Sequence, residues 1–113
     1  MSTQLCVRKY ERVTFLCRVA LSSGPGLPSV ETSSVDISLG GVGLISPKIV
    51  PKGGAVTLSF HLRGAGQTQI VEQVQGRVVH VRSDFDGHRL GIEFDEPLAR
   101  GRNPHLCRKV ENL

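Results

Sequence analysis

The stretch "VTLSFHLR" at 56–63 decides how the rest of the chain is read. Val56, Leu58, Phe60 and Leu62 alternate with Thr57, Ser59, His61 and Arg63, the pattern of a strand with one buried and one solvent-facing side. Turn chemistry brackets it, "VPKGG" (50–54) before and "GAGQT" (64–68) after. The next segment, "QIVEQVQGRVVHVR" (69–82), is a longer strand whose alternation slips near Gly76–Val79, which predicts a bulge. "SDFDG" (83–87) predicts a hairpin turn, and "HRLGIEF" (88–94) a returning strand with Leu90, Ile92 and Phe94 inward.

Working back towards the N-terminus, "VTFLCRVAL" (13–21) sets Val13, Phe15, Cys17, Val19 and Leu21 on one apolar face. "SSGPGLPS" (22–29) is loop by composition, and strands are expected over 30–37 and 42–46. The tail changes character. "NPHLCRKVENL" (103–113) offers Asn103 as N-cap and Pro104 as first helical residue, with Leu106, Val110 and Leu113 at helical spacing. Short strands joined by turns and closed by one helix predict an all-β fold, a six-stranded antiparallel barrel with a short C-terminal α-helix. A barrel of this size is filled by its own side chains, so a ligand must bind on its outside or at a rim.

With 113 residues the chain is long enough for one hydrophobic core without disulfides. The three cysteines, Cys6, Cys17 and Cys107, have no C-x-x-C spacing and fit reduced thiols. No apolar run approaches the roughly 20 residues that span a bilayer, so no membrane segment is expected. The N-terminus has no apolar signal core either, and a cytoplasmic location is expected. Four Phe, one Tyr and no Trp are few for a base-stacking platform, so nucleic acid is not an expected partner. The net charge of +4 sits at the ends: residues 1–18 and 98–113 are each basic, whereas 19–97 is slightly acidic. The chain therefore divides into an N-terminal arm (1–12), expected to be flexible, the barrel (13–97) and a helical tail (98–113). His61, His80, His88 and His105 are scattered, and His105-x-Cys107 is no ordinary zinc spacing, so neither a metal site nor an enzyme is expected.

Two polar features interrupt this pattern. "RKYER" (8–12) carries Arg8 and Arg12 just before the first strand, and "VDISLGGVG" (35–43) carries Asp36, Ser38, Gly41 and Gly43. Arginine forks bind phosphate oxygens or the O6 and N7 acceptors of guanine, and a guanidinium can lie flat on a purine. A carboxylate accepts from guanine's ring and exocyclic N–H groups, while serine and glycine N–H groups suit places where a Cβ would block approach. These residue types suit an anionic, guanine-containing ligand.

The two motifs, in this order, resemble those of the PilZ domain family, R-x-x-x-R followed by [DN]-x-S-x-x-G, with "GIEF" (91–94) similar to that family's last strand. The resemblance runs from residue 8 to about 97. It implies a six-stranded barrel that binds the bacterial second messenger cyclic di-GMP and needs no other cofactor. Arg8 and Arg12 would clasp guanine and phosphate from the arm, and Asp36, Ser38, Gly41 and Gly43 would form the barrel half of the site. It further implies an adaptor that presents a changed surface to a downstream protein, which the sequence does not identify. The alternative is a barrel of the same fold that works through protein contacts without nucleotide.

Overall fold

The computed structural model describes residues 11–24, 26–63, 66, 68–85 and 87–111; Arg8 and the rest of the arm before residue 11 lie outside them. Among the described residues seven strands form in chain order: β1 (Val13–Thr14), β2 (Arg18–Ser22), β3 (Val30–Ile37), β4 (Gly41–Ser46), β5 (Ala55–Arg63), β6 (Gln69–Asp84) and β7 (Gly87–Phe94). One helix, α1 (Pro104–Glu111), follows. All pairings are antiparallel. The ring runs β2–β5–β6–β7–β4–β3 and closes because β3 pairs with both β4 and β2.

The barrel is thus six-stranded, as expected, although the run 13–21 is not one continuous strand. It breaks at Phe15–Cys17 into β1 and β2, which both pair with β3. Hydrogen bonds from Phe15 N to Val35 O (3.0 Å) and from Ser34 N to Cys17 O (2.8 Å) carry the connection across the break. Apolar alternation survives such a break, because Val13, Phe15 and Cys17 still lean onto the core.

Inward residues match the period-two reading. Val19, Leu21, Ile37, Val42, Leu44, Leu58, Phe60 and Val78 are fully buried, with Leu90, Ile92 and Phe94 of β7 nearly so. This interior is packed by its own side chains, which leaves the outer wall for chemistry. After β7 the chain crosses the β3–β4 turn. Phe94 N donates to Gly40 O (2.9 Å) and Leu98 N to Leu39 O (2.8 Å) before α1 begins.

Asn103 stands at the N-cap position, with its carbonyl accepting from Cys107 N (2.9 Å), but its side chain does not cap the helix. It donates instead from Nδ2 to Gln73 O (3.3 Å). The capping acceptor is Glu72 of β6. Its Oε2 accepts from His105 N (3.0 Å) and lies 2.9 Å from His105 Nδ1, while its Oε1 accepts from Leu106 N (3.0 Å). A helix leaves its first N–H groups without partners, and a carboxylate there also meets the positive end of the helix dipole. That compensation is what allows Glu72 to be only 8% exposed beneath α1.

Candidate functional site

Strand register creates the site. Two bulges flank it, one in β3 between Ser34 and Asp36 and one in β6 between Val78 and His80. The second lies where the alternation slips, and it leaves the consecutive residues Val79 and His80 both exposed. Cross-strand partners then line up Asp36 (β3), Gly43 (β4), Gly91 (β7) and His80 (β6) in one row. The middle two positions have no side chains, so the row is a trough floored by backbone. A groove of about 490 Å3 lies there, lined among others by Arg12, Asp36, Gly43, His80, Arg82 and Arg89.

Each glycine in this region answers to a different neighbour. At Gly43 a Cβ would sit 2.6 Å from Asp36 Oδ1, so the missing side chain makes room for the carboxylate. Arg12 Nη1 donates to that same oxygen at 2.7 Å. At Gly91 a Cβ would approach His80 Cβ to 3.0 Å, and the glycine accommodates the residue that the β6 bulge displaces. Gly41 is different. Its Cβ would lie 2.4 Å from Ile92 O, a backbone atom, so this glycine sets the β4–β7 spacing.

Of the six residues singled out from the sequence, Arg12, Asp36 and Gly43 meet in the groove. Arg8 lies outside the described residues. Ser38 and Gly41 are buried and do not line it. Ser38 Oγ accepts from Gly40 N (3.2 Å) and Gly41 N (3.1 Å), and Ser38 N donates to Gly41 O (2.8 Å). These bonds lock the β3–β4 turn and thereby hold Asp36 opposite Gly43. Sequence reasoning missed His80, Arg82, Arg89 and Gly91 as groove residues. The available signal was the slipped alternation of 76–79 followed by a glycine in the returning strand.

Three arginines against one aspartate make the groove electropositive. Arg82 and Arg89 pair directly across β6 and β7, so two guanidinium groups leave the barrel wall side by side. Such a surface can hold a dianion, and the Gly43–Gly91 floor admits a flat ring that side chains would obstruct.

The family model of the PilZ domain matches residues 7–106. The chain belongs to the PilZ domain family. Among solved structures, this PilZ domain is similar to the PilZ domain of YcgR from Escherichia coli with c-di-GMP, with TM-score 0.70, 15% identity and coverage of 91% of this chain and 88% of that one. It is also similar to the inhibitor of motility MotI/DgrA of Bacillus subtilis, with TM-score 0.69, 17% identity and coverage of 93% and 52%. A further match is the Escherichia coli YcgR complex with c-di-GMP, with TM-score 0.63, 18% identity and coverage of 92% and 42%. The chain therefore spans about half the length of MotI, and less than half of the chain in the YcgR complex. No curated protein matches the chain. At these identities the likeness is one of fold. Among the described residues no helix is long and apolar enough to cross a membrane.

Proposed function

We propose that this PilZ domain is a cytoplasmic receptor for cyclic di-GMP that acts as a binding adaptor, not an enzyme. The observation that carries the reading is the Asp36–Gly43–Gly91–His80 row with Arg12, Arg82 and Arg89 around it. A guanine lies on the two-glycine floor, with Asp36 accepting from its ring and exocyclic N–H groups. The arginines meet the phosphates and purine faces. Arg8, one R-x-x-x-R step before Arg12, adds a second guanidinium from the arm, and Ser38 and Gly41 act by holding the turn that presents Asp36. Two solved relatives in this fold are complexes with c-di-GMP, which supports the choice of ligand.

The Arg12–Asp36 ion pair must open or re-form around the ligand, because both groups are engaged with each other. Charge-assisted hydrogen bonds contribute about 1.5–3 kcal/mol each, and ordering a residue costs about 1–2 kcal/mol. Contacts from Arg82 and Arg89, which come from the already ordered barrel wall, carry less of that ordering cost. The output is a changed surface, read by a downstream protein.

Titration of cyclic di-GMP into isotopically labelled protein tests the reading, with GMP and GTP as controls. Amide shifts are expected at residues 11–13, 35–43, 79–82 and 89–91. Arg12→Ala, Arg82→Ala and Arg89→Ala are each expected to weaken binding by about tenfold or more, equivalent to roughly 1.4 kcal/mol. Absence of shifts at millimolar ligand, or full affinity in all three variants, refutes it.

A further inference from the structure

The C-terminal region carries a second charged groove, away from the one above. It has a volume of about 480 Å3 and is lined by Arg100, Pro104, Arg108 and Glu111. Arg100 precedes α1, whereas Arg108 and Glu111 come from its last turn. Arg100 spends both Nε (3.1 Å) and Nη2 (3.0 Å) on a single oxygen, Glu111 Oε1. Arg108, in the same groove, forms no ion pair with any described residue.

Glu111 is poorly placed for a permanent role. A carboxylate in the last turn of a helix faces the negative end of the dipole, where cations are favoured. Its partner Arg100 is 81% exposed, so the pair is screened by water and easily exchanged. Glu111 thus sets a side-chain carboxylate on the Arg100 guanidinium within the groove. A neighbouring carboxylate on an incoming chain would reach Arg108.

We propose that this groove docks an acidic peptide segment of a partner protein, with Glu111 as the intramolecular placeholder that the segment displaces. Several features favour a peptide over other polyanions. No large exposed hydrophobic side chain occurs among described residues 95–111, so nothing there would insert into a lipid surface. The region also holds no Phe, Tyr or Trp on which a base could stack. Lys109 and Arg102 are further exposed cations of the C-terminal region, though Arg102 is engaged with Glu96 and Pro97 O. The proposal does not depend on nucleotide binding and concerns a different surface, so it can fail while the receptor reading stands.

The experiment is fluorescence anisotropy of a fluorescein-labelled hexaglutamate peptide with the full chain at low ionic strength, without nucleotide. Arg100→Ala and Arg108→Ala are each expected to weaken binding by about fivefold, as suits contacts on a partly solvated rim. Glu111→Gln is expected to tighten it by about threefold, since the placeholder is lost while the fold is untouched. Lys52→Ala, an exposed cation in the β4–β5 loop, is the control and is expected to change nothing. Equal loss in Lys52→Ala and Arg108→Ala would assign binding to bulk charge and overturn the proposal. So would failure of Glu111→Gln to tighten, no peptide binding at all, or binding of anionic vesicles or single-stranded DNA in place of the peptide.

Discussion

Gly41 and Gly43, two positions apart on β4, are expected to respond to alanine in opposite ways. Neither has a positive φ, so any residue can adopt the backbone and only space decides. At Gly41 the new Cβ would meet Ile92 O at 2.4 Å, and ordinary contact requires the β4 and β7 backbones to part by about 1 Å. That shift strains the Gly41–Glu93 and Val42–Ile92 pairs over a core that contains Val42 and Ile92. Overpacking of this kind costs about 1–3 kcal/mol, and a rigid backbone neighbour places this case at the upper end. At Gly43 the new Cβ would clash with Asp36 Oδ1 at 2.6 Å, the end of a side chain that can rotate, while Val35 Cγ2 at 3.4 Å is in ordinary contact. Rotation breaks the Arg12–Asp36 pair, whose partners are 26% and 37% exposed, so solvent screening limits the loss to about 0.5–1 kcal/mol. Replacing a strand glycine returns about 0.5–1 kcal/mol through reduced backbone entropy, and the net change in stability is close to zero. Urea denaturation of both variants measures the first half. Cyclic di-GMP titration measures the second, where Gly43→Ala is expected to lose affinity by about tenfold while remaining folded. A Gly41→Ala variant as stable as the parent, or a Gly43→Ala variant destabilised equally, would refute the assignment of one glycine to the fold and the other to the site.

Other expectations follow from the remaining contacts. Glu72→Gln retains the shape but replaces one of the two accepting oxygens with a donor, so a loss of about 1.5–3 kcal/mol is expected, with faster hydrogen exchange at 105–107. A change below about 0.5 kcal/mol would show that α1 is held by packing alone. Burial pushes the thiols of both Cys17 and Cys107 above their ordinary value of 9.0, so the folded state holds their protons to higher pH than the unfolded chain does. Stability is therefore expected to fall as pH rises from about 9 through the folded values, and this fall should flatten in Cys107→Ala, measured as urea midpoints at pH 8 and 10. A fall that persists unchanged in both Cys107→Ala and Cys17→Ala would assign it to other groups.

Strand positions were largely legible because half-buried strands repeat every two residues. The spans 30–37 and 56–63 agree with β3 and β5 to within a residue, and the slip at 76–79 marks the β6 bulge. The break at Phe15–Cys17 was not legible, since apolar alternation continues through it while the pairing does not. Asn103 illustrates the same limit at the helix: local sequence supplies a competent cap, but a buried carboxylate more than thirty residues away takes the N–H groups instead. In the groove, Arg12 and Asp36 were visible because they lie in recognisable motifs. Arg82 and Arg89 were read only as members of two strands, and His80 as one of four scattered histidines.

By itself the sequence determined which residues face inward, where the chain turns, that a barrel with a terminal helix follows, and which family motifs it carries. These are properties of short windows, set by side-chain period and turn chemistry. Only the tertiary structure decided that Asp36, Gly43, Gly91 and His80 form one row, because that depends on the register of four strands and on two bulges. One residue of slip in either bulge would turn a groove residue into the core. The same holds for Ser38, whose hydroxyl went to its own turn, and for Gly43, whose missing side chain serves Asp36. Local chemistry names the groups available, and strand register determines which of them share a surface.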